Sequence, residues 1–566
     1  SDLRRLWMQR DRSSWVNQNF ITDDTDQLAS NAEEASMEYL SRKIREARRF
    51  EGLQLPPEIA RQIALLKLAS AAPAPDNAAE RAELATVLTQ MGSLYGKGKY
   101  CPDRLKGSKA PCLSLHELDD IMAKSRKADE LLDAWSGWHG IATPIKPLFQ
   151  RYVTLSNKGA NEIGYGDLGQ QWKSGYDMPP AQFEAEVERL WQAVKPLYDE
   201  LHCYVRARLR KHYGAEKVPE KGPIPAHLLG NMWAQEWANI YDLVAPFPKE
   251  PSFDVGKKLA GRKVGAKEMV QKGESFFTSL GLEPLPKTFW ERSLLRKPQD
   301  RDVVCHASAW DIGSTNDVRI KMCIKPTEED LITVHHELGH VFYYTQYYKL
   351  PILFQSGAND GFHEGIGDTI ALSVTPKYLK SLGLIDAEPD NDKARINLLM
   401  KQALEKVAFL PFGLLIDKWR WDVFAGKTSP ERYNAAWWEL RTRYQGVSAP
   451  GARGDGAFDP GAKYHIPANT PYMRYFLARI LQFQFHRALC KAAGQQGPLD
   501  TCSIHGSKAA GEKLRAMLAM GATRPWPEAL TAISGETAMD PSALVEYFAP
   551  LQAWLRDQNK GQTCGW

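Results

Sequence analysis

The chain has 566 residues, of which 43% are hydrophobic, 25% charged and 10% aromatic, the balance of a globular protein able to bury a large core. Its 72 basic and 68 acidic residues are mixed along the chain and leave a net charge of +4, without a basic run or an aromatic-spaced basic stripe, so no nucleic-acid groove is expected. No apolar run reaches the roughly 18 residues of a membrane span; the longest candidate, Val407 to Ile416, contains Pro411 and reads as a core helix.

Apolar positions recurring with helical spacing predict helices at 24–50, 56–71, 79–95, 115–138 and 181–212. Val303 to Ala309 and Arg319 to Ile324 read as strands of a small antiparallel hairpin or meander. Thr327, followed by Glu328, Glu329 and Asp330, is a helix start: the hydroxyl can cap, and the acidic residues suit the positive end of the dipole. That helix should bury Leu331, Ile332, Val334, Leu338, Val341 and Phe342 and stop before Pro351. The next begins at a cap, Asn359 or Asp360, and runs through Ile370, Ala371, Leu372 and Val374 towards Pro376. Further helices are predicted at 391–424, 430–444, 472–493 and 507–520. The fold is therefore expected to be mainly α. Length alone suggests three or four domains, but no Ser/Gly-rich linker, repeat or low-complexity tract divides the chain, and a single domain over 1–566 is expected.

The most informative stretch is His336-Glu337-Leu338-Gly339-His340. On a helix, His336 and His340 share a face and can both ligate Zn²⁺, with Glu337 beside them as a base. His335, about 100° around the axis from His336, should point elsewhere. A catalytic zinc takes three protein ligands and leaves one position open. Glu364, 24 residues after His340 and on the following helix, is the candidate third ligand, because 346–358 is long enough to reverse the chain. Asp368, one turn after Glu364, can accept the free N–H of a ligand histidine and fix its tautomer. The bland alternative is a surface helix with two solvated histidines facing a solvated acidic stripe.

At this point the sequence resembles a known family. The blocks Cys305-His306-Ala307-Ser308-Ala309-Trp310, His335-His336-Glu337-Leu338-Gly339-His340, Gly361-Phe362-His363-Glu364-Gly365-Ile366-Gly367-Asp368 and Phe458-Asp459-Pro460-Gly461-Ala462-Lys463-Tyr464-His465-Ile466-Pro467 are similar to those of the angiotensin-converting enzyme family, and the likeness runs from about Cys101 to Trp566. It implies an ellipsoid of two helical halves flanking a deep channel, a small β-element near the active site, and residues 1 to about 95 as a helical lid. It implies one zinc on His336, His340 and Glu364, with Glu337 as general base and acid. It further implies that His306 and Ala307 hold the substrate backbone and that His465 and Tyr475 stabilise the oxyanion. Alone, His306 beside a cysteine and Tyr475 in an aromatic block read as packed residues; the match of whole blocks gives them these roles.

The resemblance also assigns Gln235, Lys463 and Tyr472 to the substrate's C-terminal carboxylate, a cradle in which the charge-assisted bond is the strong one. The expected activity is release of C-terminal dipeptides from short, flexible peptides. The alternatives are a carboxypeptidase, whose relatives carry arginine where this chain has Gln235, and a peptide-binding protein whose catalysis has decayed. Chloride is an expected activator: Trp437, Arg441 and Lys173 match one site, with lysine standing where arginine's planar fork would be, and Arg474 and Tyr204 match a second that reads as intact.

Three cysteine pairs, Cys101 with Cys112, Cys305 with Cys323 and Cys490 with Cys502, resemble family disulfides, which persist only in oxidising compartments. Cys203 and Cys564 have no obvious partner. The absence of an Asn-x-Ser/Thr sequon, and a first residue Ser1 with no apolar leader, give the expectation of a mature periplasmic or secreted chain, read here as a monomer.

Overall fold

The computed structural model describes residues 2–103, 112–250, 255–301, 303, 305, 307–388, 391–454 and 456–566. It is mainly helical. Three long helices form its interior: Pro180–Tyr213, Asp392–Phe424 and Met473–Ala492. Every residue from Val407 to Asp417 is buried, so the middle helix is enclosed on all sides, as its apolar run around Pro411 requires. Its neighbours contribute Trp191, Tyr198 and Leu201 from one side and Phe476, Leu477 and Ile480 from the other, all within one apolar core that reaches from Ala72 to Leu555. A smaller satellite core gathers Val255, Leu259, Leu331, Leu379 and Leu384.

Several elements depart from the sequence reading. The chain opens with an unanticipated helix, Asp2–Asn19, which buries only Leu6 and so carries no wide apolar stripe to reveal it. The predicted 115–138 helix is two, Leu115–Lys124 and Ala128–Gly140. They break where Ser125 is extended and Arg126 donates to the carbonyl oxygens of Ala123 and Ser125. The segment 430–444 is a 3-10 turn, a short helix Tyr433–Leu440 and a π-turn at Arg441–Gln445. Helix Ile145–Glu162 was also not anticipated. The two predicted strands form as Ser308–Asp311 and Val318–Lys321, antiparallel with Ser308 opposite Lys321 and shifted from the predicted bounds, and two further two-stranded pairs of two residues each occur among the described residues.

Four disulfides are formed: the three expected pairs, and Cys203 with Cys564, which are 361 residues apart. Among the described residues, no helix is long and apolar enough to cross a membrane.

Candidate metal centre and peptide site

The helix Glu328–Tyr347 starts where Thr327 accepts a hydrogen bond from the backbone N–H of Asp330 at 3.1 Å. Leu331, Val334, Leu338, Val341 and Phe342 are buried as expected, whereas Ile332 is exposed, because it lies off that stripe. The second helix, Asp360–Leu372, is capped by Asn359, which accepts from the N–H of Phe362 at 3.2 Å. The two helices cross on glycines. A Cβ on Gly339 would lie 2.6 Å from the Cα of Gly367, and one on Gly367 would lie 2.7 Å from His336 Nδ1. This close approach lets a carboxylate on one helix meet imidazoles on the other.

His336 Nε2 lies 3.1 Å from His340 Nε2, and each is 3.7 Å from Glu364 Oε2. A triangle with those edges has its centre about 2.0 Å from every corner, the length of a Zn–N or Zn–O bond. Two imidazoles and a carboxylate are also the right donors, so this set of residues fits a zinc ion. Glu337, on the same helix, is buried, and its pKa is pushed up to about 7: burial and Glu364 raise it, against His336 and Lys321. His335 points away, with Nδ1 2.7 Å from the Leu331 carbonyl oxygen and Nε2 3.0 Å from the Tyr378 hydroxyl.

Asp368 stands where the sequence placed it. Its Oδ1 accepts from His336 Nδ1 at 3.1 Å, while its other oxygen pairs with Arg479, a partner 111 residues away that no spacing could announce. Burial alone would depress the pKa of His336, but Asp368 raises it to about 9. His340 has a different neighbour: its Nδ1 is 2.7 Å from His363 Nδ1, and burial takes its pKa down to about 4.

The sequence matches the family described as angiotensin-converting enzyme over residues 1–566. The chain belongs to the angiotensin-converting enzyme family. Proteins named angiotensin-converting enzyme to which it is similar include that of Rattus norvegicus, 50% identical over 493 residues (86% of this chain, 37% of the relative), and that of Bos taurus, 46% identical over 581 residues (100% and 44%). That of Haematobia irritans exigua is 42% identical over 555 residues (96% and 90%). The chain thus spans less than half the length of the two mammalian relatives.

The residues that the angiotensin-converting enzyme resemblance assigned to the substrate carboxylate do meet. Lys463 Nζ donates to Gln235 Oε1 at 2.5 Å and lies 4.2 Å above the Trp233 ring and 5.8 Å from that of Tyr472. Trp233 ties the two segments together, its indole N–H donating to the Ala462 carbonyl oxygen at 2.8 Å. Burial brings the Lys463 pKa down to about 8, with Glu236 and Asp119 opposing it. Neither acid was singled out in the sequence. His465, Tyr472 and Tyr475 form one aromatic cluster: the His465 centroid is 4.7 Å from that of Tyr472 and 5.5 Å from that of Tyr475. Burial and Glu364 raise the pKa of Tyr475, so its hydroxyl stays protonated. Ala307 is half-buried just ahead of the strand Ser308–Asp311; His306 lies outside the described residues.

The expected chloride residues are distributed differently. Lys173 is buried and paired with Glu184, 5.2 Å from the Trp421 ring. Arg474 pairs with Asp360 at 3.0 Å, while the Tyr204 hydroxyl donates to the Val244 carbonyl oxygen and accepts from Arg208. The second site, expected intact, therefore finds its arginine matched by a carboxylate of this chain and its tyrosine bonded to other groups. Arg441 is buried among the rings of Phe412, Trp437 and Trp438, and its Nη2 donates to the Trp233 carbonyl oxygen at 2.9 Å. Its Nε has no hydrogen-bond partner among the described residues.

Proposed function

We propose that this chain is a zinc peptidyl-dipeptidase, a hydrolase that releases C-terminal dipeptides from short peptides with a free C-terminus. The observation that carries the reading is the triangle of His336, His340 and Glu364 with buried Glu337 on the same helix. Zinc held by those three residues supplies a Lewis acid and an activated water. Glu337 receives the proton and delivers it to the departing amine nitrogen. Tyr475, kept protonated, and His465 offer donors to the oxygen on which negative charge develops. His306 and Ala307 hold the peptide backbone. Lys463, Gln235 and Tyr472 bind the terminal carboxylate, and their place in the cradle sets the cut two residues from the end.

A lid formed by residues 1–95 belongs to the same reading. It is supported by Trp15, whose ring meets that of Trp310 edge-on at 5.6 Å, and by Asp11, which accepts from the N–H of Gly313 at 2.9 Å. The first helix is thus seated on the hairpin beside the site. The four disulfides fit an oxidising, secreted or periplasmic setting.

The test is a Glu337→Ala variant assayed together with its metal content. Zinc near one per chain with hydrolysis lost is the expected result; retained hydrolysis refutes the mechanism. Mass spectrometry of a blocked tetrapeptide then decides specificity, because loss of single residues contradicts the dipeptide assignment.

Chloride enters as a modest activator through Arg441. Its buried guanidinium, taken down to a pKa of about 9 by burial, holds the carbonyl of Trp233, two residues before Gln235. An anion beside it would balance its buried charge and keep the cradle in place. Equal rates in chloride-free and chloride buffers reject this role.

A further inference from the structure

The two proposed zinc histidines are backed by different chemistry. His336 Nδ1 meets the carboxylate of Asp368, which Arg479 pins from its other side. His340 Nδ1 meets another imidazole, His363 Nδ1, at 2.7 Å, and His363 Nε2 lies 2.9 Å from the hydroxyl of Tyr347. The His363 ring lies edge to edge with His340, centroids 5.0 Å and planes 27° apart, and stacks on Tyr343 at 4.5 Å between centroids.

Proton counting gives this chain a direction. His340 presents Nε2 to the ligand triangle, so that nitrogen must offer a lone pair and Nδ1 must carry the hydrogen. His363 Nδ1 is then the acceptor. A neutral imidazole with an accepting Nδ1 has its hydrogen on Nε2, where the Tyr347 oxygen receives it. Were His363 in its other tautomer, two N–H groups would face each other across 2.7 Å. The Tyr347 hydroxyl can accept as well as donate, so it accommodates the tautomer that the His340 contact requires.

We propose that Tyr347 and His363 form a neutral relay that fixes the tautomer and orientation of His340, as positioning residues for zinc. This rests on the zinc reading above. Partners behind ligand histidines are commonly carboxylates, carbonyls or waters, and their loss weakens metal binding by about 10–100-fold. An uncharged partner makes the same contact without adding a fourth carboxylate to a centre that already holds Glu337, Glu364 and Asp368.

The experiment measures zinc dissociation constants on chelator-stripped protein, by competition with a chromogenic chelator, for wild type and three variants. Circular dichroism and the thermal midpoint check that each variant is folded. Wild-type binding near one zinc per chain tests the zinc reading itself; ratios among the variants test the relay. His363→Phe should weaken zinc at least tenfold. His363→Gln, whose amide oxygen can accept from His340, should recover most of that loss. Tyr347→Phe, which leaves every proposed ligand and its immediate neighbours in sequence untouched, should weaken zinc severalfold. Binding by His363→Phe within twofold of wild type, or no recovery in His363→Gln, overturns the relay, and an unchanged Tyr347→Phe removes Tyr347 from it.

Discussion

Asp417 and Arg420, three residues apart on one helix, form an almost wholly buried ion pair that holds the loop from His465 to Met473 at both ends. Asp417 Oδ2 accepts from the backbone N–H groups of Tyr472 and Met473, each at 2.7 Å, at the start of the helix bearing Tyr475. Arg420 donates to the carbonyl oxygens of His465 at 3.0 Å and Thr470 at 2.7 Å. Asp417→Ala would leave a buried, unpaired guanidinium and is expected to lose about 3–5 kcal/mol, read from the urea midpoint. Because the loop carries His465 and Tyr472, kcat should fall in the fraction that stays folded; unchanged kinetics would separate the pair from the site.

The glycine crossing makes a second expectation. Gly367→Ala places a methyl group 2.7 Å from both the Nδ1 and the carbonyl oxygen of His336, on groups that cannot swing away. The helices must part, carrying Glu364 from the histidines. Zinc affinity should drop at least tenfold in a chelator competition, whereas Gly92→Ala, where a Cβ meets nothing within 4 Å, should leave it unchanged.

Substrate binding should depend on pH through Lys463. Burial lowers its pKa to about 8, and only the ammonium attracts a carboxylate strongly. KM should be flat below pH 8 and climb above it, approaching tenfold per pH unit. Lys463→Met should raise KM and abolish that climb; a KM that stays flat to pH 9.5 in wild type contradicts the cradle.

Acid should destabilise the fold through its buried histidines. Burial lowers the pKa of His139 to about 4, of His202 to about 3 and of His486 to about 4, against 6.5 when exposed. The unfolded chain therefore binds protons below pH 6.5 that the folded chain refuses, and stability falls as pH drops through that window. Each such group steepens the fall by about 1.4 kcal/mol per pH unit. Urea midpoints of zinc-stripped protein between pH 7 and 5 measure the slope, from which Glu337, raised to about 7, and Asp119 and Asp311, raised to about 6, subtract; stability that rises toward pH 5 would contradict the histidine argument.

What could be read in advance follows from distance along the chain. The triad needed one helical repeat, His336 to His340, and one following helix, so local spacing was enough. Asp368 was likewise one turn from Glu364. His363 stood in view beside Glu364, yet its contact with His340 spans 23 residues and follows no periodic rule. Arg479, the contacts of Arg420 with the carbonyls of His465 and Thr470, and the Cys203–Cys564 bridge are joined by packing alone. Helix Ile145–Glu162 was obscured by Pro147 in its first turn and by Ser156 and Gly159 on its buried face, the latter seated against the Pro73 carbonyl oxygen. The chloride residues matched by type, but side-chain type does not reveal that Glu184 and Asp360 stand beside two of the cations.

The Cys203–Cys564 bridge closes a covalent ring around everything from Gln235 to Tyr475. Arg206 reinforces the closure, donating to the carbonyl oxygens of Thr563 and Gly565 at 2.5 Å each, and the Trp566 ring packs 4.4 Å from His202. A protease that nicks a surface loop inside that ring severs the backbone without releasing a fragment: both pieces of the peptide site remain tethered to each other, and under oxidising conditions a cut chain keeps its ligands, its base and its cradle in one molecule.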